Sequence, residues 1–357
     1  MKKKRLLKNC CFHTLPLILV MALSFSPCAS ATALEESEDA QAYSITEPYE
    51  YGIDLDSDEW KNSSLSERVA DVYVSDDVVE NMSTQALTIT VLCNPFLSDF
   101  WAFDNYEQAM EIVSHKVNGL TELLTREDVL ETISLIASDE ELFTSALIDY
   151  GSDETNIEIL SMKLELLNTL TSVFAGTESD SFVSSCEDAA LLQASKTTVP
   201  TPNGSSVKVI SGLTYADHST TLSAVKAAQT SLLGSYSSAT VVRDVSSATA
   251  AYNCHSYAWY STSSSNSYWM CDPSTYMTDG SYISGTAKVG SKITYTAVSS
   301  GTIIHSAIVS KLSSGSTPVT VKSKWGRCGV ISHYTNDCPY TDTSEYGSIR
   351  ISTWNAS

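Results

Sequence analysis

Positive charge is what this chain of 357 residues has least of. Lys and Arg number 21 against 42 Asp and Glu, a formal net charge of −21. A surface of that sign repels phosphate backbones and anionic headgroups, so neither nucleic acid nor a membrane is an expected partner. Long apolar runs are scarce too. Leu15 to Phe25 forms one, too short to span a bilayer, and no later run is long enough. There is no His-Glu-x-x-His and no paired Cys-x-x-Cys. A metal site therefore lacks its usual signatures, and no cofactor is expected.

What basic charge exists is unevenly placed. Lys2, Lys3, Lys4, Arg5 and Lys8 precede the short apolar run, and Ala31-Thr32-Ala33 follows it. That order reads as a secretory signal peptide over residues 1–33, giving an exported, extracellular protein with no membrane association after its removal. Residues 34–195 then carry 35 acidic and 5 basic side chains, a net of −30. Residues 196–357 carry 7 and 11, a net of +4. Two readings follow: a solubilising acidic half, or an acidic half docked on a mildly basic one.

Residues 34–62 are acidic, Ser-rich and poor in apolar side chains, and read as a disordered leader. Residues 63–176 read as an all-α domain. Val129, Leu130, Ile133 and Ile136 have helical spacing, as do Ile159, Leu160, Leu164, Leu167 and Leu170. Residues 177–206 read as a linker, with Pro200, Pro202 and Asn203-Gly204 as turn signals. Residues 207–357 alternate β-type runs with short helices, an α+β pattern.

Inside that last region lies Tyr252-Asn253-Cys254-His255-Ser256-Tyr257-Ala258-Trp259. Asn253 is a good N-cap, so Cys254 opens a helix. There the dipole and unpaired N–H groups favour thiolate below the free-thiol pKa of about 8.5. Downstream, His305-Ser306-Ala307-Ile308-Val309 places a histidine at the head of a strand. These two blocks, in this order, resemble the papain-like cell-wall hydrolases, the NlpC-type endopeptidases and CHAP amidases. The resemblance covers roughly the last third of the chain. It implies a Cys-bearing helix packed on an antiparallel sheet bearing the His. It implies amide hydrolysis of a peptide or of peptidoglycan stem peptides, cell-wall association included. Two departures stand out: His255-Ser256 replaces the small pair after the Cys, and no repeat resembling a wall-binding module is present.

Acyl transfer by a thiol needs a base, an orienter for that base and oxyanion donors. Cys254 and His305 supply nucleophile and base. Ser323 and His333 are both candidates for the orienter. His255 is a poor base, since neighbouring side chains on a helix face apart. Tyr257, Trp259 and Trp325 line a substrate groove on one reading and a core on the other. Two readings of the remaining cysteines stand: a bridge from Cys271 to Cys328 or Cys338, or buried thiols throughout, with Cys254 free on either. Two further classes compete: an inactive binding module on the same scaffold, and a zinc hydrolase using Cys254, His255 and His305.

Overall fold

The computed structural model describes residues 43–357, apart from 105, 140–141, 144–153, 175–194, 219, 316–318 and 342–348. The expected signal peptide lies outside these residues. The described part is one compact α+β unit. Among the described residues no helix is long and apolar enough to cross a membrane.

The expected leader is partly folded. Asp58–Asn62 is a short helix capped by Ser57. Trp60 is buried there, and its Nε1 donates to the Gly234 carbonyl at 3.0 Å. Its burial overrides the polar composition of its neighbours. The next helix, Leu65–Asp71, starts with a capping box from Ser64 and Glu67. The two apolar stripes read from sequence form helices Val129–Ser138 and Glu154–Phe174. All their stripe residues are buried except Leu130.

Ten strands follow among the described residues: β1 (Ser195–Pro200), β2 (Ser206–Ser211), β3 (Thr240–Arg243), β4 (Tyr268–Met270), β5 (Tyr282–Ser284), β6 (Lys292–Ala297), β7 (Ile303–Lys311), β8 (Thr320–Lys324), β9 (Val330–Tyr334) and β10 (Ile349–Ala356). Residues 195–206, expected as linker, instead supply β1 and the turn into β2, paired from Ser195↔Ser211 to Pro200↔Ser206. β4 extends this to three strands. The large sheet is antiparallel with order β3-β9-β8-β7-β6-β10-β5.

Register divides the large sheet into two faces. Tyr295, His305, Ala307, Val321, Ser323, Ile331 and His333 share one; Thr294, Ser306, Ile308 and Val330 share the other. The helices cover the first face. Val69, Leu87, Leu167, Leu232, Ala307, Val321, Trp325 and Tyr340 belong to one continuous core. Polar ties cross the same junction. Arg68 pairs with Asp337, Lys116 Nζ donates to the Pro339 carbonyl at 2.8 Å, and Tyr340 donates to the Ala102 carbonyl. Residues 63–176 and 207–357, read from sequence as separate domains, are therefore joined by a shared interior. The acidic half docks through a buried apolar surface rather than through net charge.

Candidate active site

The Cys254 segment packs on the second face of β7. Asn253 is its anchor. The Asn253 Oδ1 accepts the Ser256 N–H at 3.1 Å, the cap expected from sequence. The same oxygen accepts the Met270 N–H at 3.1 Å, and Nδ2 donates to the Met270 carbonyl and to Asp104 Oδ2, both at 2.7 Å. Cys254 and His255 form a single α-turn that widens into a π-turn at Ser256–Tyr260. Such turns are frequent at functional sites.

Cys254 is a free thiol, 2% exposed. The backbone N–H groups of Ser306 and His255 lie near its sulfur and favour its charged form. Burial nevertheless pushes its pKa well above the ordinary value, and the nearby Asp104 carboxylate pushes it further. The two N–H groups and Lys324 act in the opposite sense and lose. The thiolate expected at a helix start is therefore a neutral thiol here, because desolvation outweighs the turn's few aligned dipoles. Asp104 itself is raised to about 6, again chiefly by burial.

His255 does not swing free. Its Nδ1 bonds Ser306 Oγ at 2.9 Å, and the Ile303 backbone lies beside the ring. Ser306 Oγ also accepts the Trp259 Nε1–H at 2.8 Å, and the direction of its bond with His255 Nδ1 follows the ring's tautomer. One oxygen atom of Asp104, the Cys254 sulfur and one ring nitrogen of His255 lie within 4.8 Å of one another.

His305 belongs to the other face of β7. Its ring stacks on Tyr340, with centroids 3.4 Å apart and planes 8° from parallel. Neither ring nitrogen has a hydrogen-bond partner among the described residues. No hydrogen bond joins it to Cys254. Burial, with His333 and His255 nearby, holds it well below the usual imidazole range, so it is neutral. Ser323 and His333 are brought together, but with each other: Ser323 Oγ and His333 Nε2 are 2.8 Å apart across β8 and β9. His333 Nδ1 bonds the Tyr334 carbonyl at 2.8 Å. Neither orients His305.

The three aromatics are packing groups. Trp325 is fully buried, edge-on to Tyr236 at 5.6 Å. Trp259 packs against Tyr276 at 5.5 Å and Tyr282 at 5.1 Å. Tyr257 is 6% exposed. None lines an open groove. The cleft described on the surface, about 270 Å³, is lined by Ser64, Leu65, Asn336, Thr341 and Ile349 and holds no candidate residue. Cys271 is disulfide-bonded, but Cys328 and Cys338 are both free thiols, so neither is its partner. Both lie in turns, one on each side of β9, and both are buried.

Sequence reasoning missed Asp104, Lys324 and Ser306. Asp104 lies about 150 residues before Cys254 and follows the aromatic run Phe100-Trp101-Ala102-Phe103. The one signal was a carboxylate abutting an apolar stretch. Its position is fixed by a close approach: Gly326 has φ +45°, and a Cβ there would sit 2.5 Å from the Trp101 carbonyl oxygen and 2.7 Å from that of Ala102. Lys324 lies over the Tyr252 ring at 5.1 Å and is lowered to about 7 by burial.

No family model matches the chain, and neither the curated proteins nor the solved structures give a match.

Proposed function

We propose that the chain is a thiol-dependent amide hydrolase of papain-like architecture, described here in a closed state. Cys254 is the nucleophile and His305 the base. The observation that carries this reading is the seat of Cys254. It is a free thiol at the start of an Asn253-capped turn, with the N–H groups of His255 and Ser306 near enough to favour its charged form. Once a substrate amide or water reaches the sulfur, those donors favour thiolate and an adjacent oxyanion. His305 is chosen over His255 because its nitrogens are unengaged, whereas His255 is held by Ser306. A base must turn from the Tyr340 stack to reach the sulfur, so catalysis requires an opening of this region.

In the reaction the thiol proton passes to His305 as sulfur bonds the carbonyl carbon. His305 returns it to the departing amine, leaving a thioester that water then cleaves. The resemblance of the two motifs to cell-wall hydrolases points to a peptide or peptidoglycan stem peptide as substrate and to an extracellular setting. A second reading, an inactive binding scaffold, draws on the sealing of Cys254 and on the burial of Trp259 and Trp325.

The test is incubation of wild-type protein, Cys254→Ala and His305→Ala with purified peptidoglycan and with peptide libraries, products being read by mass. Wild type should release new amine termini and both variants should not. Products that persist in Cys254→Ala, or a wild type inert on every substrate with Cys254 unlabelled by iodoacetamide, would leave the scaffold reading.

A further inference from the structure

We propose that Asp104, Cys254 and His255 form a site for one divalent transition-metal ion of the zinc type. The three donor atoms lie within 4.8 Å of one another. Zinc bonds of about 2.0 to 2.3 Å in tetrahedral array put ligands about 3.3 to 3.8 Å apart. The cluster therefore needs a contraction of about 1 Å, within the reach of small side-chain rotations. A carboxylate oxygen, a thiolate and an imidazole nitrogen make a borderline-soft set, suited to zinc or cobalt and poorly suited to calcium or magnesium. Three protein ligands leave the fourth position open.

A second, independent observation concerns the same carboxylate. Asp104 Oδ1 is sealed from solvent and has no hydrogen-bond partner among the described residues. Its sister oxygen Oδ2 is held by Asn253 Nδ2 at 2.7 Å. The carboxylate is thus clamped on one oxygen, with the other presented bare. A buried acceptor left unsatisfied costs about 1 to 3 kcal/mol, and a bound cation removes that cost. His255 differs, in that its Nδ1 is already bonded to the Ser306 hydroxyl, which fixes the ring's orientation. On metal binding at Nδ1, the ring exchanges the Ser306 hydroxyl for the ion, while Ser306 keeps the Trp259 donor. Cys254 loses its thiol proton to solvent as the sulfur bonds the metal.

The site does not depend on the hydrolase reading. If both hold, a metal-bound Cys254 is no nucleophile, and zinc inhibits hydrolysis.

Cobalt(II) titration of the full chain, kept anaerobic, provides the test. Wild type should take one equivalent, with a thiolate-to-cobalt charge-transfer band and tetrahedral visible bands, both displaced by zinc. Cys254→Ala should abolish the charge-transfer band. Asp104→Asn and His255→Gln should each weaken cobalt binding by about 100-fold or more, since even partners of ligands are worth about 10- to 100-fold. Circular dichroism establishes that each variant is folded, and the wild-type titration needs no variant at all. No band in wild type at saturating cobalt overturns the proposal. So does a band that survives Cys254→Ala, or one indifferent to both Asp104→Asn and His255→Gln. A protein that binds cobalt as expected but cleaves nothing loses the hydrolase reading and keeps the metal site.

Discussion

Ser306 and His305 are neighbours on β7, and their surroundings have little in common. On the Ser306 face, His255 and Trp259 both bond the Ser306 hydroxyl, and Asn253 caps the turn that carries them. On the His305 face an imidazole is stacked between aromatics with both nitrogens bare. The first arrangement is rigid by hydrogen bonding; the second is held by packing alone. Two adjacent residues of one strand thus border a hydrogen-bonded environment on one side and a packed one on the other.

The largest effect that would test this division is acid lability. Both faces depend on neutral imidazoles. Burial lowers His333 and His255 to about 4 and His218 to about 3, and holds His305 well below its usual range. Each folded pKa lies below the unfolded value of about 6.5. The unfolded chain therefore binds protons that the folded chain does not, and stability falls as pH drops from about 6.5 towards 4. Each such histidine contributes about 1.4 kcal/mol per pH unit in that window. Asp104, raised to about 6, has the opposite slope between about 4 and 6 and offsets one of them. Urea midpoints measured from pH 7.5 to 5 should fall steeply. A flat profile would mean that these rings are protonated or exposed.

A smaller effect separates two histidine environments on one face. Ser323→Ala leaves His333 Nε2 buried without its 2.8 Å partner, at a cost of about 1 to 3 kcal/mol. His305→Phe removes nitrogens that bond nothing and keeps a flat ring on Tyr340. It should change stability by less than about 1 kcal/mol while abolishing hydrolysis. A His305→Phe that unfolds more readily than Ser323→Ala would contradict the stacked, unbonded state of His305.

The parts of this structure legible in sequence are those set by local rules. The Asn253 cap, the stripes of Val129–Ser138 and Glu154–Phe174, and the runs that became β7 and β8 each follow from spacing or from one residue's chemistry. The rest depended on contacts made at long range. Trp60 gives a polar stretch a buried anchor through Gly234, 174 residues away. β9 and β10 lack strong apolar alternation and take their form from partners. Asp104 enters the site because the Gly326 turn accepts the chain at Trp101 and Ala102, which no local pattern announces. Ser323 and His333 lie on adjoining strands, and their hydrogen bond to each other is set by a register that neither residue's local sequence announces.

The smallest predicted effect isolates what Asp104 does to Cys254. The carboxylate is the chief charged neighbour raising the thiol pKa. Asp104→Asn removes that charge and keeps an amide oxygen for Asn253. Iodoacetamide labelling of Cys254 at pH 8 should then rise, by up to about 10-fold for one pKa unit. The pH dependence tells an electrostatic cause from a steric one. Asp104 is protonated below about 6, so in acid the wild type already lacks the charge. The variant-to-wild-type ratio should therefore be near one at pH 5, climb through pH 6 and level off above it. A ratio raised equally at every pH would mean that the substitution unseals the pocket, and Asp104 would then be a plug rather than a charge. No rise at any pH would place its carboxylate beyond electrostatic reach of the sulfur and weaken the composite site in which the helical half supplies Asp104 to the Cys254 turn.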